Sequence, residues 1–461
     1  MTERRYIGLL CGIVLLGLAL RIASAQGGLW LDEAWSGELA QQARTPLGVF
    51  LNINHDNNHH LNSLWMQFVG FGAPPVLQRA LSIVTSTIAI AVAAAIFRPR
   101  STTVALVAAA LFAISPMTVT MGSEARGYAA MSLALLTAIL LVAHWLPEQS
   151  GERVRLRLAL CFTLGALSQM TMVFGCVALV GWVFFALCVK TTPFTAVRRT
   201  VWLFAPALLA LGAVLGLIFA AAYSSPTGFQ FGDYKPFEIL LFLHAIVEML
   251  GYTIGWPVVS LWLMPGALIL VVLAKRGGAT HLALYRLAIV AFPVTLAVLH
   301  AGNPGHPRYY LVAAIGLLLL LSEMIGTMIG RGGWQRAVAI SGLAAIIGGG
   351  AWQDADLIRN QRGDPDPAIT AMRARDTQGS SALLDRSTGF AMLAAAAAHA
   401  RYPLDIMQGH CAPARFLFMD RFKGEDFPAA PIRCGVRWHP IAGARAHGLS
   451  GTHWTLYAPQ P

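Results

Sequence analysis

Residues 78–118 read QRALSIVTSTIAIAVAAAIFRPRSTTVALVAAALFAISPMT, two apolar runs separated by the basic turn Arg98-Pro-Arg100. Each run approaches the ~20 residues that a helix needs to cross the hydrocarbon of a bilayer. Runs of this kind recur from Ile7 to Trp352. The composition agrees: 56% of the residues are hydrophobic, 12% are charged, and the mean hydropathy is +0.60. A soluble chain of 461 residues could not stay in solution with that balance.

Working outward from this stretch, the pattern predicts an all-α polytopic membrane protein. Its eleven spans lie near 6–25, 78–97, 102–118, 127–146, 156–172, 174–190, 200–222, 254–274, 285–301, 308–329 and 334–351. The first run has no small-residue cleavage site followed by a globular sequence, so it reads as a retained helix. The formal charge of +11 would suggest nucleic acid in a soluble protein. Here the Lys and Arg residues sit in short turns and orient helices, and no nucleic-acid partner is expected. With Arg4 and Arg5 in the cytoplasm, the turns Arg98–Arg100, Glu148–Arg157, Lys190–Arg199, Lys275–Arg286 and Arg331–Arg336 all fall inside, and all are basic. The expected location is thus the cytoplasmic membrane, with the N-terminus inside. The apolar segment His60–Phe71 is too short to span and is expected to be interfacial or re-entrant. Counting it as a span would invert every later turn.

From Gln353 onward apolar runs shorten and Pro, Gly and polar residues rise, as in Arg362-Gly-Asp-Pro-Asp-Pro367. Ser381–Asp385, Pro403–Met407, Arg415–Met419 and Trp454–Ala458 read as strands, and Pro367–Asp376 and Gly389–Ala400 as helices. The expected division is a membrane domain over 1–352 and a small α/β domain over 353–461, outside the cytoplasm. Cys11, Cys161, Cys176 and Cys188 lie in apolar helices and pack. Cys411 and Cys434 lie where a disulfide is permitted. There is no Walker loop, dinucleotide fingerprint or Cys-x-x-Cys.

Polar residues concentrate on one predicted face. Asp32 and Glu33 follow Trp30 in the first loop and suit either a helix N-cap or a site. His55-Asp56-Asn57-Asn58-His59-His60 can supply metal ligands (His55, Asp56, His60) or simply hydrogen-bonded loop polarity, since its spacing matches no stereotyped ligand pattern. Glu124 and Arg126 precede Tyr128 and can neutralise each other. Arg308-Tyr309 opens a late span, where the Arg can snorkel to lipid or hold a phosphate by a bidentate fork. Ionisable groups from four separated segments at one membrane face are costly unless used.

The order of these pieces resembles the GT-C superfamily of membrane glycosyltransferases, in the branch of protein O-mannosyltransferases and lipid A aminoarabinose transferases. The resemblance runs over about residues 5–330. It rests on Asp32-Glu33, the segment Asn57–Trp65, Arg79 entering a helix, Glu124-Ala-Arg126-Gly-Tyr128, and Arg308-Tyr309. Asn58-His-His-Leu61 stands where His-Pro-Pro-Leu is more usual. The resemblance implies an inverting glycosyltransferase that takes a sugar from a polyprenyl-phosphate donor and gives it to a lipid, glycan or protein acceptor. It implies Asp32 as general base with Glu33 the positional rival, and Arg308, Arg126 and Tyr309 on the donor phosphate. Glu124, His59, Asn58 and Tyr128 are then the expected substrate contacts. A divalent metal is an open expectation, with His55, Asp56 and His60 as its ligands. The competing readings are a transporter or flippase, for which Gln169 and Glu248 are the mid-chain polar candidates, a glycan ligase, and a structural subunit.

Overall fold

A computed structural model describes every residue except 227, 233, 278–280, 410–412 and 461. Five helices are long and apolar enough to cross a membrane: Glu3–Ala23, Ala80–Phe97, Tyr128–Glu148, Pro193–Ser224 and Pro307–Arg331. A sixth is the pair Thr102–Ile114 and Pro116–Gly122, if its 59° bend lies within one span. Shorter apolar helices accompany them at Met172–Cys188, Ile239–Ile254, Leu263–Lys275 and Leu282–Val298. Each of the eleven expected segments overlaps a helix, while length and hydropathy single out these five or six. The segment expected at 285–301 is interrupted by a π-helical turn, Leu287–Ala291, just before Pro293, which lacks the N–H a regular helix would use. The helix Ile239–Ile254 packs Ala245, Met249 and Leu250 into the core.

Small residues let these helices approach. Ala89, Ala93 and Ala94 of one helix and Ala105, Ala108 and Ala109 of the next are buried in one core. The bend at 115 follows from Pro116, which has no N–H to give to the preceding turn and whose ring clashes with it. The carbonyls so released are taken up by a buried cation. Arg21 donates to the carbonyl oxygens of Ala113 (3.1 Å) and Phe112 (3.0 Å), and to Ser86 Oγ (2.6 Å).

The first loop folds into short helices, Leu31–Gln42, Pro46–Leu51 and His60–Val69. His60–Val69 has 10 residues, about 15 Å of helix, too short to span.

The last part of the chain carries a six-stranded sheet in the order β2-β1-β3-β6-β5-β4. The strands are β1 Ser380–Leu384, β2 Leu404–Met407, β3 Phe416–Arg421, β4 Ile432–Arg433, β5 Val436–Ala444 and β6 His453–Pro459. β1 is parallel to β2 and β3, the crossover being the helix Gly389–Ala400; the other pairs are antiparallel. β5 escapes a sequence reading because Pro440 and Gly443 interrupt it, and Pro440 sits at a register shift. The helix expected to end at 351 runs to Asn360, so the sheet unit starts after 360 rather than at 353. Cys434 is disulfide-bonded; Cys411, the other cysteine at a position that permits a disulfide, lies outside the described residues.

The sheet unit does not stand apart. Leu29, Ala34, Ala40 and Met66 of the first loop share one core with Met372, Met392, Phe418 and Trp454. Gly27 and Gly28 donate their N–H groups to Gln361 Oε1 (3.0 Å) and Asp364 Oδ1 (2.8 Å). The unit thereby closes over the first loop.

Candidate active site

Asp32 and Glu33 are consecutive on a helix, so their side chains point roughly 100° apart. Glu33 turns inward. Its side chain is fully buried against Arg79, 2.5 Å away, and it accepts the Ala125 N–H at 2.6 Å. It also caps its own helix by accepting from the Trp30 N–H. Arg79 is equally enclosed, donating to the carbonyl oxygens of Ala25 (3.0 Å), Gly27 and Gly28 (2.9 Å) as well. Burial would raise the Glu33 pKa, but Arg79 outweighs it and holds the carboxyl below its ordinary range. Glu33 thus anchors the first loop.

Asp32 turns the other way. Its Oδ2 lies 2.9 Å from Arg308 Nη2 and is paired with Arg126 Nη1. Burial alone would raise its pKa; the two guanidinium charges prevail and keep it below the usual carboxylate range. The pair is graded in exposure. Arg126 is 4% exposed, while Arg308 and Asp32 are 12% and 16% exposed, so the cluster opens on the Asp32–Arg308 side. Arg308 Nε is buried without a hydrogen-bond partner. Trp30 flanks both cations, its ring 5.7 Å from Arg308 and 6.0 Å from Arg126.

Arg126 is aimed by its surroundings. Nη2 donates to Asn57 Oδ1 at 2.8 Å, and Nε donates to His59 Nε2 at 3.2 Å. The opposite ring nitrogen of His59 faces the Ser168 carbonyl oxygen at 3.1 Å, which assigns a neutral ring that donates from Nδ1 and accepts at Nε2. Burial and the Arg126 charge push the His59 pKa well below its ordinary value, consistent with that form. Gly127 makes this approach possible, because a Cβ there would sit 1.7 Å from the same Ser168 oxygen. Tyr128 packs at a tilt against His59 at 5.3 Å and lies under Arg126 at 5.4 Å. Tyr309 meets His306 edge-on at 5.2 Å, with Arg308 over its ring at 5.8 Å.

Other expected site residues lie elsewhere. Asn58 props the loop, donating to the carbonyl oxygens of Val49 (2.9 Å) and Ile53 (3.0 Å), and its neighbour Asn57 is the one that meets Arg126. Glu124 is fully buried and faces the sheet unit, near Arg362 and accepting from Ser450. Burial raises its pKa, against the pull of Arg362. The metal trio is not assembled. His55 and Asp56 sit together at 2.9 Å, the latter accepting the Gly232 N–H, while His60 stacks on Phe50 at 5.2 Å. Among the described residues no group of three His, Cys, Asp or Glu side chains is placed to hold a metal ion. The expected donors His55, Asp56 and His60 are thus not brought together. Asn57 and Arg362 were missed by sequence reasoning. Asn57 differs in nothing from the Asn beside it, and Arg362 lies far along the chain from every residue that it meets.

No protein-family model matches the chain, and no curated protein matches it either. Solved structures do. ArnT from Cupriavidus metallidurans, bound to undecaprenyl phosphate, superposes with a TM-score of 0.57 at 11% identity, covering 99% of this chain and 98% of that one. The apo oligosaccharyltransferase of Archaeoglobus fulgidus gives a TM-score of 0.51 at 13% identity over 88% of this chain, which spans 64% of the length of that protein. The same archaeal enzyme tethered to an acceptor peptide gives 0.51 at 12% identity. The chain resembles these structures in fold.

Proposed function

We propose that this protein is an inverting glycosyltransferase that moves a sugar from a polyprenyl-phosphate donor to a lipid, glycan or protein acceptor at the outer face of the cytoplasmic membrane. The observation that carries the proposal is the meeting of Asp32, Arg126 and Arg308, from three distant segments, in one partly open cluster at the helix ends. As unrelated features, a helix cap, a surface pair and a snorkelling cation would have no reason to touch.

The chemistry follows from that cluster. The acceptor oxygen attacks the anomeric carbon, its proton passes to Asp32, and the bond from that carbon to the phosphate oxygen breaks. Polyprenyl phosphate leaves with its new negative charge on Arg308 and Arg126. One displacement needs one base and no protein nucleophile. The depressed pKa of Asp32 reflects two guanidinium charges beside one carboxylate, which leaves the cluster with a net positive charge for a phosphate. A donor phosphate competes for those cations and leaves Asp32 buried with fewer partners, which raises its basicity when a base is needed. Tyr309, half-buried beside Arg308, offers a flat face to a sugar, and the apolar helices offer a bed to the prenyl chain.

Asp32→Asn and Arg308→Ala separate the two roles. With membrane insertion normal, Asp32→Asn should lower transfer from polyprenyl-phosphate sugars by about 100- to 10,000-fold. It should bind undecaprenyl phosphate at least as tightly as wild type, because the competing carboxylate is gone. Arg308→Ala should weaken that binding about tenfold or more. Full transfer by Asp32→Asn would exclude it as the base.

A further inference from the structure

We propose that Arg362, together with Ser450, is a positioning residue for the phosphate site, so that the C-terminal sheet unit is a working part of that site. The functional readout rests on the reading above; the geometric argument does not.

Arg362 lies just past the helix Gly333–Asn360, in a turn where Gln361, Arg362 and Gly363 all have positive φ (45°, 59° and 79°). A left-handed backbone at Gln and Arg is strained and persists only where the surroundings hold it. Here the turn drives the Arg362 side chain under the first loop, where it is fully buried. Nη1 donates to the Ser24 carbonyl oxygen at 2.7 Å, and Nη2 to Ser123 Oγ at 2.6 Å and the Thr120 carbonyl oxygen at 3.2 Å. Nε lies 3.4 Å from Glu124 Oε1, which also accepts from Ser450 in the β5–β6 loop. One guanidinium thus ties the end of the first helix to the turn that precedes Tyr128.

What that turn carries gives the contact its consequence. Glu124, Ala125 and Arg126 are consecutive, and each faces a different part of the site. Glu124 is held by Arg362 and Ser450, the Ala125 N–H by Glu33, and the Arg126 guanidinium by Asp32. Among the described residues Glu124 Oε2 has no hydrogen-bond partner, so its hold is one-sided and rests on those two residues. A backbone fixed on both flanks of Ala125 leaves Arg126 little freedom to miss Asp32. Releasing Glu124 frees one flank, and the error appears at the phosphate-binding fork.

The test compares wild type, Arg362→Met, the Glu124→Gln/Arg362→Met double variant and Ser450→Ala, as full-length protein in detergent. Three quantities are read: thermal stability, undecaprenyl-phosphate affinity, and amide hydrogen exchange over residues 120–126. Arg362→Met strands a buried carboxylate and should unfold early. The double variant removes both charges and should regain the part of the stability lost to the stranded carboxylate, while the acceptors at Ser24, Thr120 and Ser123 stay without their donor. It should still bind undecaprenyl phosphate about 3- to 30-fold more weakly, with faster exchange over 120–126. Ser450→Ala should shift affinity and exchange in the same direction by less. A double variant that folds and keeps wild-type affinity and exchange overturns the proposal, because a purely structural role would cost stability alone. If the double variant does not recover, Ser450→Ala with unchanged affinity and exchange overturns it. If wild type binds no undecaprenyl phosphate, the transferase reading fails, and exchange over 120–126 alone decides the positioning claim.

Discussion

Neighbouring carboxylates on one helix acquire opposite duties from what surrounds them. Glu33 meets a cation that shares its burial, and Asp32 meets two, of which Arg308 lies towards the opening. The first pair is a stability element. Breaking a buried pair from one side costs about 3–5 kcal/mol, so Glu33→Gln should lower the thermal stability of the purified protein sharply. Its pH dependence has a definite sign. The Glu33 carboxyl holds its proton less readily folded than unfolded, so its contribution is complete above the unfolded value near about 4.3. It is lost as pH falls through the lower folded value. Stability measured from pH 7 downward should hold until about pH 4 and then drop, and Glu33→Gln should flatten that drop. An unchanged acid limb in the variant would mean that the Glu33–Arg79 pair does not govern it. Asp32 and Arg308 could be read from the sequence as candidates because residue types of known chemistry stood at predicted membrane boundaries. The split between Asp32 and Glu33 could not, since it depends on which face of a short helix meets Arg79.

At the scale of elements, apolar length identifies the long helices, and pattern identifies most of the strands. The sequence was silent where a helix breaks and something else completes it. Pro116 marks a break, but nothing marks Arg21 as the group that receives the freed carbonyls. Read along the first helix, Arg21 looks like a cation at a membrane exit; in the fold it is fully buried and bonded to two other helices. Arg21→Leu should therefore cost at least about 3 kcal/mol, because several buried acceptors lose their donor together. Thermal unfolding in detergent measures this, and a variant within about 1 kcal/mol of wild type would show that water takes over the bonds. The same blindness explains Glu124. Its two-residue spacing from Arg126 suggested a shared surface role, yet the chain turns between them, and only the return of the sheet unit shows where Glu124 points.

For the whole molecule, the sheet unit and the first loop form one core, and the charged cluster lies beneath their junction. The proposed orientation places this junction outside the cytoplasm and the Arg98–Arg100 turn inside. In Pro99→Cys and Gln26→Cys variants of a cysteine-depleted protein, an impermeant thiol reagent applied to intact cells should label position 26 and spare position 99. Labelling of position 99 alone would invert the topology. The central claim is that Arg126 and Arg308, with Asp32 between them, receive the phosphate of a polyprenyl donor. The most direct measurement is an experimental structure of the full chain with undecaprenyl phosphate. The account predicts phosphate density within hydrogen-bond reach of the Arg126 and Arg308 side chains, with the prenyl chain leaving sideways among the apolar helices. Phosphate density resting elsewhere, with the Asp32 pairs to both arginines intact, would contradict it.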